Sequence, residues 1–148
     1  MPTYIPIETV PIEDDGYHLV VPMEVNGIAA RMLVDTGASR SVFDGGRLKR
    51  FFPGGAPELE VNLQKSTGLG ARDMTSQALF LDTISIGELI IRNYPAVVLE
   101  MNHVNLSYEE LGLPPIDGVL GSDILMKYGA RIDYKKKEMR INLRKVRK

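Results

Sequence analysis

The stretch Met32-Leu33-Val34-Asp35-Thr36-Gly37-Ala38-Ser39 is where this chain places a group able to do chemistry. An apolar run of strand character ends abruptly at Asp35. A tight turn at a strand tip holds a carboxylate in a fixed orientation, and a fixed carboxylate can give or take a proton. Thr36 offers a hydroxyl to tie the loop to neighbouring backbone, and Gly37 leaves room for a second backbone to approach. The same tripeptide also makes an ordinary turn, its Asp accepting backbone N–H groups. Asp-Thr-Gly occurs once in the 148 residues, so one chain supplies one such loop.

A second element lies downstream, in Ile116-Asp117-Gly118-Val119-Leu120-Gly121-Ser122-Asp123-Ile124-Leu125. Val119 and Leu120 form a short apolar strand that runs into Gly121. Ser122 is placed to cap a helix, with Asp123 in its first turn, where the helix dipole favours an acid. Ile124, Leu125 and Tyr128 make one apolar face, and Gly129 stops the helix.

In this order, near the two ends of the chain, the pair of motifs resembles the retropepsin-like aspartic proteases, of the cellular or bacterial kind. The resemblance runs over about residues 17 to 143 of a single domain, 1 to 148. It is strongest in 20–43, 66–78 and 117–141; 44–57 and 100–115 look like insertions. It implies an all-β, retropepsin-like acid-protease barrel with one short C-terminal helix. It also implies that Asp35 is catalytic, with Thr36, Gly37, Ala38 and Ser39 supporting its loop and Gly121, Ser122 and Asp123 supporting it from the second motif. Viral members place an acid two residues after the active-site Gly and pair it with an Arg after the second-motif Gly. Here those positions hold Ser39 and Ser122, and Arg40 and Asp123 are available for a substitute pair.

Hydrolysis of a peptide bond by this chemistry needs two carboxylates sharing one proton, since like charges a few ångströms apart cannot both ionise easily. With one loop per chain, the partner must be a second copy, so the expected assembly is a homodimer acting on a peptide or protein. A two-lobed single chain would need about twice this length. The glycine-rich Gly68-Leu69-Gly70 suits a flap, hinged by its glycines, with Leu69 touching substrate, and equally suits a flexible hairpin end with no further duty. Fold does not guarantee activity, so a non-catalytic dimerisation or peptide-binding module is the competing expectation.

The elements that must position these residues are mainly strands. His18 to Val25 alternates and meets Ile28 to Val34 through Asn26-Gly27, a strong hairpin signal. Leu48 to Phe52 reads as a short helical turn. Leu59 to Ser66, Met74 to Ile84, Leu89 to Asn93 and Ala96 to Met101 read as strands, with Tyr94-Pro95 at a bulge or edge. Glu100 to Pro115 reads as a long loop with one turn at Tyr108 to Leu111. Arg131 to Tyr134 and Glu138 to Leu143 pair around three lysines.

Composition narrows the alternatives. An apolar fraction of 44% can fill a core, and a net charge of −1 gives no global field toward nucleic acid. The basic tail, Lys135 to Lys148, lacks aromatic interleaving and reads as a solvated hairpin with a lysine-guarded edge. The absence of cysteine excludes disulfides, thiol catalysis and Cys-ligated zinc. His18 and His103 have no ligand-spaced partner, so neither a metal nor a cofactor is expected. No apolar run approaches the roughly 18 residues that span a bilayer. Met1 to Asp15 lacks the basic start and apolar stretch of a signal peptide, which predicts a cytoplasmic protein, or an exported one if a leader was trimmed.

Overall fold

The computed structural model describes residues 1–55, 60–62 and 76–145. In chain order these form β1 (Pro2–Pro6), β2 (Glu8–Glu13), β3 (Gly16–Val25), β4 (Ile28–Val34), β5 (Val42–Asp44) and a 3-10 turn (Leu48–Phe51). β6 (Glu60–Asn62), β7 (Ser76–Ile86), β8 (Leu89–Leu99) and α1 (Asn102–Glu110) follow. Then come β9 (Gly118–Leu120), α2 (Ser122–Lys127), β10 (Arg131–Asp133) and β11 (Glu138–Asn142). Glycine-rich Gly68-Leu69-Gly70 lies outside the described residues.

Asn26 and Gly27 take φ of 51° and 79°, the left-handed pair a two-residue hairpin needs, and this fixes the register of β3 on β4. Alternation then sends Leu19, Val21, Met23 and Val25 to one side of β3, into the main core. β3, β4, β9, β5, β8 and β7 are neighbours in that order, and β7 returns to pair with β3. Six strands thereby close into a barrel with few unpaired edges. β2 and β6 extend it, while β1, β11 and β10 form a separate three-stranded sheet. The closed barrel is the one expected, with two short helices where one, C-terminal, was expected.

The chain departs from the sequence expectation in several elements. The stretch expected as a long loop contains α1. Asn, His and Ser give it the composition of a loop. Its apolar residues nevertheless recur at helical spacing, so Met101, Val104 and Tyr108 pack with Val10, Val20 and Ile116 in a second, smaller core. Strand β8 is continuous through Tyr94-Pro95 and keeps one register on β7, which skips only the Asp82–Asn93 pair, where Asn93 takes a φ of 50°. The first residues, too, are strands. β1 pairs along its whole length with β11.

Two buried carboxylates tie the surroundings of the second motif together. Asp117 accepts hydrogen bonds from Arg47 Nε (2.8 Å), Arg50 Nη1 (3.2 Å) and the Arg31 amide (2.9 Å). Asp44 accepts from the amides of Gly46 and Met101 and from Asn105 Nδ2. Asn105 also bonds both backbone groups of Ile116, which pins α1 to the segment leading into β9. No described helix is long and apolar enough to cross a membrane.

Candidate active site

The two motifs meet because β9 lies between β4 and β5. It runs parallel to β4, with Leu33 opposite Val119, and antiparallel to β5, with Val42 opposite Val119. The chain leaving β4 must therefore arch over the end of β9 to reach β5. That arch is residues 35–41, and the residues beneath it are Gly121 and Ser122. The Asp35 amide donates to the Leu120 carbonyl (3.0 Å), and the Ser122 amide donates to the Ala38 carbonyl (2.7 Å). A side chain at Gly121 would place its Cβ 2.7 Å from the Arg40 carbonyl oxygen and 2.8 Å from that of Ala38. Only a glycine lets the two backbones come this close.

Asp35 stands at the tip of β4, exposed in the single chain. Its Oδ1 accepts the Gly37 amide (3.0 Å) and its carbonyl accepts the Ala38 amide (3.1 Å), which closes the turn. One oxygen of the carboxylate is thus held by the loop, and Oδ2 makes no hydrogen bond to any described residue. Gly37 contributes its amide to Asp35, and no second backbone of the described residues lies within 4 Å of where its Cβ would be. The Thr36 side chain is exposed in the single chain, and its hydroxyl has no partner among the described residues. Ser39 is likewise exposed.

The second motif is arranged differently from the expectation in two respects. Gly121, not Ser122, occupies the helix N-cap position, in extended conformation, and Ser122 is the first helical residue. Passage beneath the arch demands a glycine at that point, so the capping position cannot carry a side chain. Arg40 and Asp123 form no ion pair among the described residues. Asp123 is satisfied instead by neutral donors. Its Oδ1 accepts the Ser41 amide (2.9 Å) and hydroxyl (2.7 Å), and its Oδ2 accepts the Tyr94 hydroxyl (2.5 Å). Burial, reinforced by the Asp123 carboxylate, pushes the Tyr94 phenol well above its usual range, so it stays a donor. The rest of α2 follows the sequence pattern, with Ile124, Leu125 and Tyr128 buried and Gly129 at a φ of 59°.

Ser41 and Tyr94 carry no motif that points to them. Ser41 is fully buried and accepts the Gly121 amide (2.9 Å) while donating to Asp123. Tyr94 sits in β8, where only the barrel topology brings it to the second motif. The histidines play other parts. His18 Nδ1 lies 2.8 Å from the Tyr108 hydroxyl, and His103 is exposed.

The family model described as "Aspartyl protease" matches residues 21–124. No curated protein matches the chain. Among solved structures the chain is similar to a retropepsin-like aspartic protease from Rickettsia conorii, at 20% identity over 95% of this chain and 89% of that one, with a TM-score of 0.60. It is also similar to the EIAV protease complexed with the inhibitor HBY-793, at 19% identity over 84% of this chain and 99% of that one, with a TM-score of 0.53. These identities carry the likeness of fold, and the family model carries the membership. The chain belongs to the aspartyl protease family and has a retropepsin-like fold.

Proposed function

We propose that this chain is an aspartic endopeptidase acting as a homodimer of single-domain copies, with Asp35 of each copy facing the other across a two-fold axis. The observation that carries this reading is the placement of Asp35. Its backbone is fixed at the crossing of the two motifs, while its carboxylate is exposed and has one oxygen unengaged among the described residues. An exposed Asp35, Thr36 and Gly37 are the surface a second copy would cover. With the two carboxylates adjacent, one keeps a proton while the other ionises. The ionised one takes a proton from water, and the protonated one polarises the scissile carbonyl, the pattern general to aspartic proteases. Neither a metal nor a cofactor has a part in this chemistry.

Asp35→Asn tests the reading. The amide is nearly isosteric and its oxygen still accepts the Gly37 amide, so fold and dimer are expected to persist. It can neither take the water's proton nor share one with its partner, so peptidase activity is expected to vanish. Undiminished cleavage by the purified variant would place the activity elsewhere. A folded wild-type dimer that binds extended peptides yet cuts none at any pH would make the chain a peptide-binding module.

A further inference from the structure

We propose that Ser41 and Tyr94 are positioning residues for Asp35, holding the Asp123 carboxylate against the Asp35 arch by hydrogen bonds from neutral donors. The proposal rests on Asp35 being the catalytic carboxylate. It concerns what keeps that carboxylate in place.

The arch is fixed at its start by the bond from the Asp35 amide to Leu120. Before β5 pairs with β9, its far end is seated on the second motif by the Ser122 amide on Ala38, the Gly121 amide on Ser41 Oγ, and the two Ser41 donors on Asp123. Ser41 is the joint of this assembly, since its hydroxyl accepts from Gly121 and gives its single proton to Asp123. Tyr94 reaches the other oxygen of Asp123 from β8. Its ring meets Phe43 edge-on, with centroids 6.4 Å apart, and Phe43 follows Ser41 by two residues in β5. The phenol is therefore steadied by the strand that the arch leads into. Asp123 accepts three hydrogen bonds and has no cationic nitrogen within 4.0 Å among the described residues. A carboxylate bound on both oxygens cannot rotate without losing donors in this half-buried setting, so three elements (the arch, α2 and β8) move as one body.

The test compares Tyr94→Phe, Ser41→Ala, Asp123→Asn and Asp123→Ala in the full chain, by peptide cleavage, sedimentation and amide hydrogen exchange. Tyr94→Phe is expected to stay folded and dimeric, with kcat lowered about tenfold and KM within about twofold, because a displaced carboxylate loses reactivity before the substrate loses its contacts. Ser41→Ala is expected to fall further. Asp123→Asn is expected to keep most of the activity: its amide oxygen still accepts from Ser41 and its NH2 group can donate to the Tyr94 oxygen. Asp123→Ala should lose the activity that the Asn variant keeps. Exchange at the Asp35, Gly121 and Ser122 amides is expected to quicken about tenfold in Tyr94→Phe, with the β3–β4 ladder unchanged. Wild-type kcat together with wild-type exchange in a folded Tyr94→Phe dimer would overturn the proposal. So would an Asp123→Asn variant as impaired as Asp123→Ala, because charge rather than hydrogen bonding would then be the agent. If the wild type cuts no peptide, the catalytic reading of Asp35 fails, and the exchange rates alone decide whether Ser41 and Tyr94 hold the arch.

Discussion

The Ser41 hydroxyl accepts the Gly121 amide proton at 2.9 Å across 80 positions of sequence. That bond joins the end of the Asp35 arch to the middle of the second motif, and it is possible only because Gly121 passes directly beneath that arch.

Gly121→Ala tests this closeness. The added Cβ would lie 2.7 and 2.8 Å from two backbone carbonyl oxygens, neither of which is the end of a flexible side chain. The arch must lift, and the bonds to Ser41 and Ala38 must lengthen. The expected cost is about 3 kcal/mol in urea denaturation, at the upper end for overpacking. A peptidase should also lose about a hundredfold in kcat, since Asp35 rides on the displaced segment. An Ala variant as stable as the wild type would mean that the two backbones are not in contact.

Mixing chains tests whether two copies build one site. If each site needs Asp35 from both copies, a dimer containing one Asp35→Asn chain is inactive. With a tenfold excess of variant chains, subunit exchange leaves most wild-type chains in mixed dimers. Activity per wild-type chain should then fall to about a tenth. Activity indifferent to the excess, in a mixture shown to exchange subunits, would refute a shared dyad.

Much of the fold was legible because its signals are local. Asn26-Gly27 announces a hairpin because few other pairs accept positive φ at both positions. The Asp35 turn and the buried face of α2 are likewise written in consecutive residues. What sequence could not show depends on the closing of the barrel. Tyr94 looks like any strand tyrosine until β8 is placed beside β5, and Ser41 like any polar residue after a turn. Ser122 has the type that usually caps a helix, yet the crossing beneath the arch puts a glycine, Gly121, at that position. Helix α1 was hidden because Asn and Ser read as loop, although Met101, Val104 and Tyr108 kept helical spacing.

Asp117 offers a test of stability alone. It is 2% exposed and accepts two guanidinium groups that remain 30% and 35% exposed. Asp117→Ala leaves Arg47, Arg50 and the Arg31 amide without their acceptor. The expected loss is about 3 kcal/mol, the lower end for breaking a buried pair, because both arginines can recover water. Arg50→Ala should cost less, about 1 kcal/mol, since Arg47 still neutralises the carboxylate. Equal losses from the two variants would show that Arg50, not Arg47, supplies the charge that Asp117 requires.

Tyr94 should make the fold sensitive to alkali. Its phenol is raised in the folded chain, by burial first and by the Asp123 carboxylate second. Below the usual tyrosine value near ~10 both the folded and unfolded chains keep the proton, and its contribution is complete. As pH rises past that value the unfolded chain ionises while folded Tyr94 does not. Stability must then fall by up to about 1.4 kcal/mol per pH unit until the folded phenol also titrates. Tyr94→Phe removes this dependence. It also deprives Asp123 of a donor, so the variant should be less stable at neutral pH by about 2 kcal/mol. The two denaturation free energies should therefore converge as pH climbs above ~10. The variant's slope is reduced but not abolished, because Tyr108 and Tyr128 are also raised by burial and remain in place. Parallel curves for the two proteins, measured by urea denaturation from pH 8 to about 11, would show that Tyr94 does not keep its proton against Asp123.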